Sequence, residues 1–405
     1  MAIEDPYVPA VGEPVLPLSG IRVVDTSRVL AGPFCGAILA DLGAEVIRLE
    51  HPEQTDEVRG WTPVVDGTAA AFAAVNHSKR GIGVDLSHPE GARVFRSLLL
   101  AADVLIDNYR PGTLERFGFG PSVLRDINPR LIHCAIRAFP TGTRDENLPG
   151  YEAAIQAYSG IMDLTGERDG DPVRCGPSVV DLGTGMASAI AVLAALRHRE
   201  RRGQGGRVEP ALLRTATNLV NFQLAAYSLG GVLPRRFGSG HPSLVPYGTF
   251  HAADGPVLLA ASNDRLWARM WRILSPADAT PPWPTLAERV DSRDALNGMI
   301  AGKVCNWKRG DLLAALVAAG IPAAPVQTLP EYLADETLET AGVVERLALR
   351  GGRDVLLAGR LFAGDLPRVA RRPPPAIGEH TDEVLSDLGL DVDELSRLRA
   401  AGAIR

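Results

Sequence analysis

The sequence predicts an α/β protein with a parallel sheet and a second, smaller α+β domain. Three observations carry this. Up to Arg137, short β-branched runs alternate with helical patterns of 10–15 residues, the signature of βαβ units. Beyond Arg207 the pattern changes character and brings a hairpin signal. The length of 405 residues suits two domains at roughly 100–200 residues each.

Taken in order, Ile21–Asp25 reads as a buried strand, Pro33–Gly43 as a helix and Glu45–Glu50 as the next strand. Gly81–Leu86 is a strand, Pro89–Ala102 a helix, and Asp103–Asn108 and Leu131–Ile136 further strands. Pro177–Asp181 reads as an apolar strand leading through Leu182-Gly183-Thr184-Gly185 into an alanine-rich helix, Met186–Arg199. The basic, glycine-rich stretch Arg197–Arg207 reads as a connector. Tyr247–His251 and Pro256–Ala261 flank Asp254-Gly255, which predicts a hairpin. Amphipathic helices follow at Arg265–Leu274 and Asp311–Ala319. Two short helices come after Pro373–Pro375, the second opened by a capping box of Asp391 and Glu394.

Composition narrows the class. With 46% hydrophobic and 22% charged residues the chain can bury a large core, which excludes disorder and a disulfide scaffold. A net charge of −6 argues against a nucleic-acid partner. Only Lys79, Lys303 and Lys308 are lysine among 42 basic positions, a bias of codon usage and not of function. Cys35, Cys134, Cys175 and Cys305 lie far apart, read as small core residues of a reducing compartment, and predict no metal site. The first fourteen residues lack a basic region followed by an apolar run, so no signal peptide is expected. The apolar run Met186–Leu196 falls short of the about 20 residues that span a bilayer. A soluble, cytoplasmic protein without a membrane partner is the expectation.

Several motifs bear on chemistry. Asp25 and Glu50 end two strands about 25 residues apart, near the spacing of a ribose-binding acid. The turn between them, Thr26–Pro33, holds one glycine where a dinucleotide fingerprint wants three, so a plain scaffold is the better reading. Gly203-Gln204-Gly205-Gly206 has no following Lys-Ser/Thr and is no phosphate loop. Asn76–Arg80, and Asn108–Gly112 with Arg116, suit either a phosphorylated ligand or a solvated charged rim. No Gly-x-Ser-x-Gly or HExxH occurs, which removes support from a serine hydrolase and a zinc enzyme. Asp181 is the sharpest feature. At a helix mouth it would be held ionised by backbone N–H groups, which could also stabilise an oxyanion, while Gly183 and Gly185 admit a ligand to the backbone. The bland alternative is a carboxylate that caps the helix.

Leu18–Asp25, Ala31-Gly32-Pro33 and Ala40–Ile47 resemble the opening of the class III CoA-transferases, the family of formyl-CoA transferase and carnitine CoA-transferase. The resemblance continues through Asn108–Gly112, Asn128–Ile132, Gln156–Gly160, His241-Pro242, Pro246–Gly248 and Gly378–Thr381. It implies a large Rossmann-like domain built from both chain ends, residues 1–200 and 335–405. A linker at 201–224 and a small domain at 225–330 complete it, in an interlocked homodimer. It implies CoA or acyl-CoA as substrate with a carboxylic acid, and no tightly bound cofactor. The family's nucleophilic aspartate falls on Asp181, which would form an acyl anhydride and then an aspartyl-CoA thioester.

The racemase cousins carry a histidine where Gly150-Tyr151-Glu152 stands here. The Tyr-Glu pair resembles formyl-CoA transferase and favours transfer, with Tyr151 and Glu152 in the acyl pocket. An acyl-CoA racemase and a non-catalytic CoA-binding protein remain the alternatives. The resemblance places CoA contacts on the Val29–Ala31 backbone, His51, Val84, Asn108, Arg116 and Phe117. His51 stands where some relatives carry arginine. Leu30 replaces an acyl-contacting glutamine, and the glycine loop is shortened to Gly238-Ser239-Gly240. Both departures argue against formyl-CoA and oxalate and suit a larger or more apolar acyl group.

Overall fold

A computed structural model describes residues 15–278 and 280–405; the opening segment read for a signal peptide lies outside the described residues. The chain divides into two compact units. Of the described residues, the first comprises those up to Ser159, Gly176–Asn221 and Thr337–Arg405; the second comprises those in Gly160–Cys175 and Phe222–Glu336.

The first unit is built on a six-stranded parallel sheet. Its strands are β1 (Arg22–Asp25), β2 (Glu45–Glu50), β3 (Arg80–Gly83), β4 (Val104–Asp107), β5 (Ile132–Ala135) and β6 (Gly206–Val208). They lie in the order β3-β2-β1-β4-β5-β6, the doubly wound arrangement of Rossmann folds. All residues of β2 to β5 are buried, as expected where helices cover both faces of a parallel sheet. Helix α1 (Ala31–Asp41) follows β1, and α2 (Pro89–Ala101) links β3 to β4. Phe95, Leu98 and Leu99 of α2 join Val24, Ile47, Ile82 and Leu105 of the strands in one core. Helix α3 (Glu152–Tyr158), α4 (Val179–Arg202) and α5 (Leu212–Leu219) complete the site-bearing part.

Two expectations change here. Residues 201–224, read as a connector, hold β6 and α5: a three-residue edge strand is too short to show periodicity amid its arginines. Pro177–Asp181 is not a strand. Val179 and Val180 are the first residues of α4, which runs on from them into the alanine-rich segment, although Ser178 before them makes no side-chain cap. Consequently α4 has 24 residues and a window of mean hydropathy 1.9, apolar and long enough by length and composition to cross a bilayer, unlike the run Met186–Leu196 alone. In this unit it packs against α1 and α5.

In the second unit β7 (Tyr247–Ala252) and β8 (Gly255–Ala260) form the antiparallel hairpin. The two-residue turn is Ala253-Asp254, one position before the expected one, because Gly255 pairs with Ala252 and Asp254 accepts the Arg309 N–H at 2.6 Å. Helices α6 (Asp264–Leu274), α7 (Arg293–Val304) and α8 (Arg309–Ala318) and strand β9 (Ala323–Pro325) enclose a core around Trp267, Trp271, Ile300 and Leu316. Gly160–Cys175 joins this unit through polar links that carry no periodicity. Arg236 meets Asp163 at 2.9 Å, and Gly238 N–H donates to the Gly166 carbonyl at 3.0 Å. Cys35 and Cys134 are buried as expected, but Cys175 is only half-buried and Cys305, just past the last turn of α7, is exposed.

The chain returns to the first unit with α9 (Thr381–Asp387) and α10 (Val392–Ala400). At α10 only half of the expected capping box forms. Asp391 accepts the Glu394 N–H at 2.8 Å, whereas the Glu394 carboxylate faces Arg93 at 2.6 Å. The returning segment covers the β3 edge: His380 N–H donates to the Gly81 carbonyl and Arg405 N–H to the Gly83 carbonyl. Gly81 and Gly83 are required there, since a Cβ would lie 2.7 Å from Ala376 O or Arg405 Cβ.

Candidate active site

The strand order reverses between β1 and β4, and a crevice opens beyond the carboxyl ends of such strands. A cavity of about 380 Å³ lies there, in the first unit. Its walls come from Arg28–Ala31 after β1, Asn108–Pro111 after β4, Gly150–Glu152 at the start of α3, and Asp181 on α4. Leu30, Ala31, Tyr151, Glu152 and Asp181, which sequence reasoning singled out separately, therefore share one cavity.

Asp181 sits in the first turn of α4 and is 8% exposed. Among the described residues it has neither an ion-pair partner nor a backbone N–H donating to it. Burial, with the neighbouring Glu152 carboxylate adding to it, raises its pKa to about 7. The expectation of a carboxylate held ionised is thus corrected: desolvation wins over any favourable helix end. Glu152 is itself buried, and its Oε1 accepts from Gln156 Nε2 at 2.5 Å and Val180 N–H at 3.4 Å. A desolvated carboxylate with a raised pKa is a stronger nucleophile than one in water.

Gly183 and Gly185 serve packing, not ligand approach. A Cβ on Gly185 would stand 2.8 Å from the Ala31 carbonyl and 2.9 Å from Phe34, and one on Gly183 2.9 Å from Thr215. They let α4 lie close to α1 and α5, which brings Asp181 to the mouth of the β1–α1 turn.

That turn is unusual. Val29 has φ of +68°, a conformation β-branched residues avoid, at a cost of about 1–3 kcal/mol. Its N–H donates to both oxygens of Asp56 at 3.1 and 3.2 Å. Asn108 accepts the Arg28 N–H at 2.9 Å and donates to the Arg28 carbonyl at 2.7 Å. Its amide thus positions the turn, a role that sequence reasoning did not anticipate.

The remaining expected CoA residues lie along the same edge of the sheet. His51 follows β2, where its Nδ1 accepts from Glu53 and Gln54 N–H groups at 3.1 and 3.0 Å and its Nε2 is 3.5 Å from Asp85. Val84 follows β3 but is 1% exposed within the core, so its side chain offers no surface to a ligand. Arg116 and Phe117 lie after β4, outside the cavity wall. Arg116 is exposed and donates to Thr113 Oγ1 at 3.1 Å, whereas Phe117 packs on the core. Tyr151 is 63% exposed, with its hydroxyl donating to Glu57 at 3.2 Å. Gly238 and Gly240 belong to the second unit and line a hollow there beside Phe222 and Phe237.

Neither reading of Asn76–Arg80 survives. All five residues are buried, at the amino end of β3. Lys79 meets Asp25 at 2.8 Å, and Arg80 pairs with Glu45 and with Asp387. Arg110, within the Asn108–Gly112 stretch expected to bind a phosphorylated ligand or form a rim, does line the cavity, and so do two cations that sequence reasoning left out, Arg28 and Arg137. The signal for each was its place just past a strand end. Arg137 is tied to Asp107 at 3.0 Å, while Arg28 and Arg110 have no ion-pair partner among the described residues.

Comparison with known proteins agrees on one family. Residues 18–381 match the model described as CoA-transferase family III. A succinate–glutarate CoA-transferase of Agrobacterium fabrum is 36% identical, over 92% of this chain and 96% of the relative. A succinyl-CoA:mesaconate CoA-transferase of Haloarcula marismortui is 34% identical, over 92% and 97%. Among solved structures, a CAIB/BAIF family protein from Brucella suis superposes with a TM-score of 0.82 at 35% identity, covering 92% of this chain and 99% of that one.

Proposed function

As the chain belongs to CoA-transferase family III and is a CoA-transferase, we propose that Asp181 is the nucleophile that carries CoA from an acyl-CoA donor to a carboxylic acid. The carboxylate attacks the thioester carbonyl; a C–O bond forms, the C–S bond breaks and CoA thiolate leaves. The thiolate then attacks the aspartyl carbon of the mixed anhydride, releasing the donor acid and leaving an aspartyl-CoA thioester. The acceptor carboxylate reverses both steps and regenerates Asp181. Each step exchanges bonds of similar energy, so the thioester is conserved if water is excluded. The observation that carries this reading is an unpaired, buried carboxylate of raised pKa on the wall of the switch-point cavity.

Relatives named for glutarate, mesaconate and succinyl-CoA suggest short dicarboxylic acids as donor and acceptor. The cavity favours an anionic acyl group over the larger or more apolar one expected from Leu30, since Arg28 and Arg110, without ion-pair partners among the described residues, share its wall. A racemase would need an imidazole at position 151, where a tyrosine stands. We also propose that two copies associate. Phe222, Leu224, Tyr227 and Leu229 on Asn221–Gly230 are about half exposed or more and fall on both sides of a helix with no buried residue, apolar surface suited to a partner. Sedimentation that finds only monomer at working concentration overturns that part.

The direct test is chemical. Wild-type protein mixed with succinyl-CoA and hydroxylamine should yield an Asp181 hydroxamate, seen by peptide mass. Asp181→Asn, which keeps the shape and removes the attacking oxygen, should form none and lose transfer to background. Retained transfer in Asp181→Asn would falsify the assignment.

A further inference from the structure

We propose that Asp56 is a positioning residue of the active site, holding the Ser27–Val29 turn in the strained form that presents Leu30 and Ala31 to the Asp181 cavity. This rests on the reading of that cavity as the reaction site.

The geometry is one of four consecutive backbone groups, each held by a side chain. The Ser27 carbonyl accepts from Arg48 Nη1 at 3.0 Å. The Arg28 N–H and carbonyl are both taken by Asn108. The Val29 N–H is taken by Asp56. Arg48 and Asp56 are in turn joined at 2.6 Å, so one buried ion pair grips the turn at both ends. Arg48 is wholly buried and Asp56 is 2% exposed. Asp56 also accepts the Val58 N–H at 3.2 Å, which fixes the carboxylate to its own 3₁₀ turn, Glu57–Gly60.

Such a clamp has a purpose only if the turn would otherwise relax. Val29 supplies the reason. Among the described residues it is the one β-branched side chain at a non-glycine position with positive φ. Left free, it would return to negative φ and swing Leu30 and Ala31 with it. The residues it sets are those on the cavity wall, at the start of α1. Strain of this kind persists where the surroundings over-determine it, and here three side chains do so. A sequence that needed the turn only as a link would place glycine at 29.

Asp56→Asn removes the charged acceptor while Arg48 keeps Glu50 at 3.4 Å and Asp25 at 3.8 Å, so the interior is not left with a lone cation. We expect kcat/KM for CoA transfer to fall by about 10- to 100-fold, as small displacements in a site do. The loss should be partly reversed, by fivefold or more, in Asp56→Asn/Val29→Gly, because glycine adopts the left-handed form without a clamp. A purely structural role for Asp56 predicts no such rescue, since glycine at 29 does nothing for a vacated ion pair. If Asp56→Asn does not accumulate as folded protein, Asp56→Glu carries the same test. It keeps the charge beside Arg48 but moves the oxygens off the Val29 N–H. Activity of the folded single variant within twofold of wild type, or a double variant no better than the single, overturns the proposal. Absence of an Asp181 hydroxamate in the wild type would instead overturn the reading of the site on which it rests, so the two failures are told apart.

Discussion

Asp181 concentrates the chemistry in one titration. The attacking form is the carboxylate, and burial beside Glu152 puts its pKa at about 7. Below that value the ionised fraction falls tenfold per pH unit. The single-turnover rate of adduct formation should therefore rise about tenfold from pH 5 to 6 and level off above pH 8. Glu152→Gln removes the like charge and should move the midpoint to lower pH. Stability runs the other way. The folded pKa lies above the usual value of 3.8, so the folded state binds the extra proton between the two. That contribution is full below about pH 4 and is lost as pH rises through about 7. Asp181→Asn should accordingly be more stable than wild type at pH 8, by roughly 2–4 kcal/mol in denaturant unfolding, and equal to it near pH 4. A variant less stable than wild type at pH 8 would contradict the assigned burial of the charge.

Among the elements, α1 and α4 bring this carboxylate to the β1 turn, and their separation is set by a glycine. The Cβ of Gly185→Ala would meet the Ala31 carbonyl at 2.8 Å, a backbone atom that cannot move alone. The expected cost is about 1–3 kcal/mol from forced separation of the helices. A larger loss of activity than of stability should accompany it, because Ala31 lines the cavity. Thermal unfolding with a transfer assay checks both; an unchanged midpoint would mean the helices stand further apart. The strands of this region were legible in sequence because short β-branched runs set between amphipathic helices fit little besides a buried parallel sheet. The start of α4 was not, since Val179-Val180 after a proline and serine has the same composition whether it closes a strand or opens a helix.

Across the whole first unit, the conspicuous charges of the N-terminal half turn inward. Asp25, Glu50 and Asp56 face Arg48, Arg59 and Lys79 in one buried network under the cavity. Burial works against ionising Asp25, but Lys79 and Arg48 outweigh it and hold its carboxyl below the usual range. Removing one member leaves an uncompensated charge. Asp25→Ala should thus cost about 3–5 kcal/mol, whereas Asp25→Ala/Lys79→Met should cost less than the single change. A double variant as unstable as the sum of its parts would mean the pair is not coupled.

The alternation of strands and helices, the sheet they form, the family, and Asp181 as the residue to watch were all legible in the chain before any fold was known. Those follow from local patterns and from residue blocks, which need no partner to be read. Tertiary structure alone decided what the charged and small residues do. Asn76–Arg80 offered a ligand site or a rim and became interior ion pairs, because Lys79 finds Asp25 54 positions away in sequence. Gly183 and Gly185 turned from ligand clearance into helix packing, and Asn108, expected as a CoA contact, also braces the Arg28 backbone. The pKa of Asp181 reversed direction for the same reason. A side chain's charge state and role depend on what folding brings beside it, and burial next to Glu152 is a property of α3 meeting α4, not of either segment.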